Sequence, residues 1–166
     1  LHTGDRNAIM LWLRSTGYGH MYPITLLDEN NEPFDTEFDL STIKTIKLGA
    51  EPDAEGLFDF TFKLCQAEIK FKLLTVGDVD HIEELLEKDK ELNSIINKEN
   101  TYTLIQHIVE VNGNRDRDYI TKFVERLRIQ DSSDLKTYIS SIDCGVDLNI
   151  SVKTPRGGSI STFLPL

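Results

Sequence analysis

Phe58, Phe60, Phe62 and Leu64 alternate with polar residues, and Ile69, Phe71 and Leu73 repeat the pattern a few residues later. A period of two places all of these side chains on one face of an extended chain, which a helix cannot do. The spacing predicts two half-buried strands joined by a short turn, forming a central hairpin. Immediately after it the period changes. Thr75, followed by Asp78 three residues on, is a helix-start signal, and Val79, Ile82, Leu85, Leu86, Leu92, Ile95 and Ile96 continue one apolar stripe.

The same reading places other elements around this pair. Asp5 is positioned to cap a helix running to about Thr16, with Ile9, Trp12 and Leu13 on one face and Gly17 and Gly19 as breakers. Met21 to Leu27 and Phe34 to Leu40 flank the polar tip Asp28 to Glu32 and read as a hairpin. Thr101 to Val111, rich in β-branched residues and ending at Asn112-Gly113, reads as a strand entering a turn. Two further helices carry Tyr119, Ile120, Phe123, Val124 and Leu127, and then Leu135, Tyr138, Ile139 and Ile142 from a start near Asp131 or Ser132. Val146 to Val152 and Ser159 to Leu164 flank Thr154-Pro155-Arg156-Gly157-Gly158 as a closing hairpin. The expected architecture is α+β: a single domain over residues 1–166, with hairpins at both ends and in the middle packed with three or four helices. Because the chain opens on Leu1 rather than Met, a missing N-terminal segment is expected.

Charge restricts the partners. Eighteen basic against 28 acidic residues give a formal charge of −10, which repels phosphate backbones, so nucleic acid is not an expected partner. Asp28, Glu29, Glu32, Asp35, Glu37 and Asp39 fall in one stretch without Lys or Arg, suited to a solvated face or to a basic protein partner. No run approaches the ~20 apolar residues of a membrane span. Cys65 and Cys144 are too few for a disulfide framework and are expected to be reduced, buried thiols.

The chemistry of known catalytic motifs is not evident. There is no Gly-x-Ser-x-Gly elbow, phosphate-binding glycine loop or EF-hand loop. His2, His20, His81 and His107 are scattered, with no pair at helical spacing, and read as surface or hydrogen-bonded histidines. With 28 acidic residues, a carboxylate pair suited to glycoside hydrolysis stays open as an alternative.

Several segments, in order, resemble the baseplate hub subunit and hub assembly protein family of T-even-type contractile-tailed bacteriophages. They are Asp5-Arg6-Asn7-Ala8-Ile9-Met10-Leu11-Trp12-Leu13-Arg14 with Gly17-Tyr18-Gly19; Ile69-Lys70-Phe71-Lys72-Leu73-Leu74-Thr75-Val76-Gly77-Asp78; Val111-Asn112-Gly113; Phe123-Val124; and Asp131-Ser132-Ser133-Asp134-Leu135-Lys136-Thr137-Tyr138-Ile139. The resemblance spans most of the chain. It implies zinc-ribbon-like knuckles, Cys-Pro-x-Cys-Gly, at the tips of the first and last hairpins. Asp28, Asn31, Thr154 and Gly157 stand where the thiolates would be and offer at most one good ligand, so the ribbon is expected to be metal-free, with its two tips still meeting. Lys136 stands where the family leads one to expect Arg.

The resemblance implies a non-catalytic structural or assembly component of a tail baseplate, without cofactor. It would be located in the virion, or in the host cytoplasm during assembly, and bind other tail proteins, with an oligomer within the baseplate as one arrangement. A transient assembly chaperone and an acidic cell-wall hydrolase are the alternatives. Tyr18, Phe163, Leu164 and Leu166 are the candidate partner-binding residues.

Overall fold

A computed structural model of the chain describes residues 1–91 and 97–165. It is α+β and separates into two compact units, one made of Leu1–Thr3 and Leu48–Asp143, the other of Gly4–Lys47 and Cys144–Leu166. Leu92, Ile95 and Ile96, the end of the expected helical stripe, lie outside the described residues.

In the first unit, β4 (Phe58–Thr61) and β5 (Glu68–Phe71) form the expected central hairpin, with Phe58 opposite Phe71 and Phe60 opposite Ile69. The alternation puts Phe58, Phe62, Ile69 and Phe71 in one buried cluster, and the Phe58 and Phe71 rings stack at 5.5 Å. Leu64 departs from the pattern and is exposed, because the chain turns after Phe62. Phe62 N–H donates to the Ala67 carbonyl to close that turn, and Leu64 N–H donates to the fully buried Asp131 carboxylate at 3.2 Å. The unit's helices are α2 (Val76–Glu91), α3 (Glu99–His107), α4 (Arg117–Glu125) and α5 (Ile129–Ile142). Ile120, Val124, Leu135, Ile139 and Ile142 from α4 and α5 complete the core against the sheet.

The start of α2 is the reciprocal cap that the sequence announces: Thr75 N–H and hydroxyl both donate to Asp78, and Asp78 N–H returns to the Thr75 hydroxyl. The expected strand Thr101 to Val111 is not one element. Residues up to His107 are helical, and only Ile108–Val111 form β6, which adds to β5 as a third strand. Thr101, Leu104, Ile105 and Ile108 also satisfy helical spacing, and that periodicity outweighs β-propensity once Asn97 receives the Glu99 N–H at 2.9 Å and covers the exposed end. Five helices result among the described residues, one more than the upper expectation. The Asn112-Gly113 turn is as read, with both residues at positive φ, 49° and 80°.

The second unit holds α1 (Thr3–Tyr18) from Gly4 onward, the hairpin β1 (Met21–Leu27) with β2 (Pro33–Asp39), and the hairpin β8 (Asn149–Lys153) with β9 (Ser159–Phe163). Val146, expected within the closing strand, instead belongs to a separate short pair, β3 (Thr45–Ile46) with β7 (Gly145–Val146). Asp147 divides the two segments, donating its N–H to Lys44 and accepting that of Asn149. Leu40, Leu148, Ile150, Val152 and Leu164 are the core, covered by Tyr22, Ile24, Leu26, Phe34 and Phe38 from the inner face of the first hairpin. Gly17 lies inside α1 rather than ending it; Gly19, at φ 87°, ends it by donating to Ser15. At the other end, a Cβ on Gly4 would overlap the Cys144 carbonyl, so this close approach needs glycine.

Two measurements check this description. Leu135 is fully buried, so Leu135→Ala should cost about 2–5 kcal/mol in urea denaturation. His107 is buried, and burial pushes its imidazole below the ordinary 6.5, opposed by the bond to the Lys72 carbonyl. That carbonyl only accepts, so Nδ1, 2.8 Å away, carries the proton of a neutral ring. Just below pH 6.5 the unfolded chain binds more protons than the folded one, so His107's contribution is fully present above 6.5 and declines as pH falls below it. The urea midpoint should drop between pH 7 and pH 5 in the native chain, and His107→Gln should remove the His107 part of that slope.

Candidate functional site

The tips of the first and last hairpins, predicted to be degenerate knuckles, meet. Arg156 reaches across to Glu32 at 2.6 Å and to Asp28 at 3.3 Å. The Thr154 hydroxyl donates to Glu29 at 2.6 Å and accepts the Gly158 N–H at 2.9 Å. A Cβ on Gly158 would overlap the Glu29 carboxylate.

Each tip has the same backbone form. The Asp28 N–H donates to the Glu32 carbonyl and the Asp28 carbonyl accepts from the Asn31 N–H, just as the Thr154 N–H donates to the Gly158 carbonyl and the Thr154 carbonyl accepts from the Gly157 N–H. The fourth residue of each tip has positive φ, 60° at Asn31 and 90° at Gly157, which is a type I turn closed by a bulge. In both, the first side chain accepts the N–H of the fifth residue: Asp28 from Glu32, and Thr154 from Gly158. Asp53 to Leu57, in the other unit, repeats the form with Gly56 at φ 80° and the Leu57 N–H on the Asp53 carboxylate. The sequence reading missed this third copy; its signal was the Asp-x-x-Gly spacing, with a residue tolerant of positive φ in fourth place.

The donor chemistry at the knuckle positions does not fit zinc. Asp28 is the one carboxylate among Asp28, Asn31, Thr154 and Gly157, and it is already engaged. One oxygen accepts from Asn30 and Glu32, and the other faces Arg156. The Glu32 N–H, with smaller help from the Asn30 N–H and the Arg156 charge, holds the Asp28 carboxyl below the usual 3.8 against the opposing effect of desolvation. The hydroxyl of Thr154 donates and accepts at once, which a thiolate cannot do. Among the described residues no group of three or more His, Cys, Asp or Glu side chains converges on a metal position. Asp53, in the third turn, is held down to about 2, chiefly by Lys70 at 2.7 Å and then by the Leu57 N–H.

The partner-binding candidates separate into three cases. Tyr18 is 78% exposed, and Phe163 is also exposed on the outer side of β9. Leu164 is fully buried in the core of the second unit, its N–H donating to Leu148, so it serves packing rather than a partner. Leu166 lies outside the described residues. Cys65 is exposed on the β4–β5 turn and Cys144 is partly exposed, so neither is the buried thiol expected of it. Lys136 donates to Asn100 rather than pairing with a carboxylate.

Tyr18 belongs to a larger apolar surface. Helix α1 has no buried residue, and it exposes Ile9, Met10, Trp12 and Leu13 to solvent, with Trp12 64% exposed. Met10, Leu13, Arg14, Tyr18 and Tyr22 line a shallow pocket of about 480 Å³. Arg14 lies over the rings of Tyr18 at 4.5 Å and Tyr22 at 5.1 Å, which partly offsets a buried Nε without a hydrogen-bond partner among the described residues. Tyr22 is fixed in turn by donating to the Pro165 carbonyl at 2.7 Å. Compared with protein-family models, with curated proteins and with solved structures, the chain matches none.

Replacing Thr154, which is 5% exposed, by Val keeps its shape but strands the Gly158 N–H and the Glu29 carboxylate; a loss of about 1–3 kcal/mol is expected on chemical denaturation. Excess chelator should leave the Tm of the native chain unchanged, and added zinc should not raise it.

Proposed function

We propose that the chain is a structural or assembly component of a contractile phage tail, of the baseplate hub kind, working through surface complementarity. The observation that carries this reading is the exposed apolar face of α1, where Ile9, Trp12 and Leu13 share one helical stripe with no covering element among the described residues. Monomeric proteins rarely leave such a contiguous patch in water, and interfaces are enriched in Trp, Tyr, Met and Arg, the residue types gathered around Trp12, Tyr18, Met10 and Arg14. The ordered resemblance to the hub family supports the same reading, since the α1 segment carries one of the resembling stretches.

The finer fold belongs to this proposal. The paired tips are a zinc-ribbon form that dispenses with metal, the Asp28, Thr154 and Arg156 network taking over the closure a bound ion would provide. A structural zinc site contributes on the order of 10 kcal/mol to an isolated finger, and here the apolar cluster between the two hairpins supplies the remainder. Nothing specific in the geometry favours the hydrolase alternative. The assembly-chaperone alternative shares the docking face and differs in whether the chain stays in the finished particle.

The test is sedimentation of particles from infected cells, followed by detection of the chain in baseplate and mature-particle fractions. Stoichiometric presence in both is the expected result; presence in baseplate precursors alone selects the chaperone, and absence from both overturns the proposal. The double variant Trp12→Glu, Leu13→Glu should keep its circular dichroism and lose co-sedimentation. Because Trp12 is the chain's one tryptophan, its fluorescence should shift to the blue when a hub partner is added.

A further inference from the structure

The first unit carries a second surface of opposite chemistry, whose lining does not depend on the tail proposal. Beside α4 there is a groove of about 350 Å³. Phe123 and Leu127, both partly buried and packed on the core, form its base, while exposed Tyr119 and Cys65 stand beside it. Lys122, Arg126 and Arg128 complete the lining. None of these three cations pairs with a carboxylate among the described residues, although the chain has 28 acidic residues and a formal charge of −10.

Lys122, in the last turn of α4, and Arg126, its C-cap, are four residues apart on one helical face and set two like charges side by side at the negative end of that helix. Arg128 is the N-cap of α5 and makes no side-chain cap bond, so its charge meets the positive end of that helix. Three solvated cations around an aromatic and aliphatic base, in a strongly acidic chain, are complementary to one kind of ligand.

We infer that this groove docks an acidic segment of a partner protein, with an aromatic or aliphatic side chain seated on Phe123 and Leu127 and flanking carboxylates on Lys122, Arg126 and Arg128. A space of this size takes one or two large side chains rather than a folded surface. Long polyanions are disfavoured because the rest of the chain repels them, whereas a short peptide stays within the ~8–10 Å reach of the local charges at physiological salt. A second copy is a weaker occupant: in this chain's own acidic stretch Phe34 and Phe38 pack against the core of the second unit, leaving Leu27 as the exposed apolar residue beside it.

The test is selection of a displayed random heptapeptide library on the full-length chain, with fluorescence anisotropy of the selected peptides. Enriched sequences should combine Asp or Glu with a large apolar residue. Their affinity should fall roughly tenfold or more in the double variant Arg126→Glu, Arg128→Glu, and in the single variant Lys122→Glu by a smaller factor, with unchanged melting curves. A peptide with Lys in place of the acids should bind the reversed variant instead. Bound peptide should slow alkylation of Cys65 while leaving Cys144 unaffected. Enrichment without an acidic bias, equal binding to native and reversed chains, or displacement by an oligodeoxynucleotide of equal charge as effectively as by the peptide would each overturn the inference.

Discussion

A two-stranded hairpin is marginal in water until its apolar face is covered, and every sheet of this chain among the described residues has only two or three strands. That constraint organises each unit separately. In the first, β6 adds a third strand and α4 and α5 cover the phenylalanine face, so one cluster runs from Phe58 to Ile142. In the second, the two terminal hairpins cover each other, Ile24, Leu26 and Phe34 of one lying over Ile150 and Val152 of the other. Their mutual burial brings the tips together, and the contacts of Arg156 and Thr154 with the opposite tip are its consequence at the exposed end.

The tips show how one backbone form accepts different chemistry. A turn in which the fourth residue takes positive φ and the first side chain accepts an N–H from the fifth is served by a carboxylate at Asp28 and Asp53 and by a hydroxyl at Thr154. What the first residue does with its second carboxylate oxygen, or with its hydroxyl proton, then decides the closure. Asp28 faces Arg156, Asp53 takes Lys70, and Thr154 donates to Glu29. The two docking surfaces contrast in the same way. The one on α1 offers apolar area around Trp12, and the groove beside α4 offers charge above a small apolar base.

Much of this is legible in the sequence. Period-two and period-3.6 patterns are set by residues close in sequence, so β1 and β2, the central hairpin, the Thr75–Asp78 start of α2 and the faces of α4 and α5 were readable from the residues alone. The reading failed at Thr101 to His107, where β-branched composition and helical spacing point to different structures, and burial of Leu104 on the inner face of α3 decided for spacing. It failed again at Leu64 and Val146, where a strand pattern continued past the point at which the chain bends.

The sequence by itself determined which residues alternate, which cap and which tolerate positive φ, because those properties depend on covalent geometry and near neighbours. It also determined the shortage of soft ligands at the tips of the first and last hairpins, since donor chemistry is a matter of residue type. Only the tertiary structure decided that Leu164 is core while Tyr18 and Trp12 are surface, and that Arg156 meets Glu32 across 124 positions of chain. It alone gathered Cys65 with Lys122, Arg126 and Arg128 around one groove. Exposure and convergence depend on which elements cover which, and contacts between residues so distant in the chain leave no periodic trace in it.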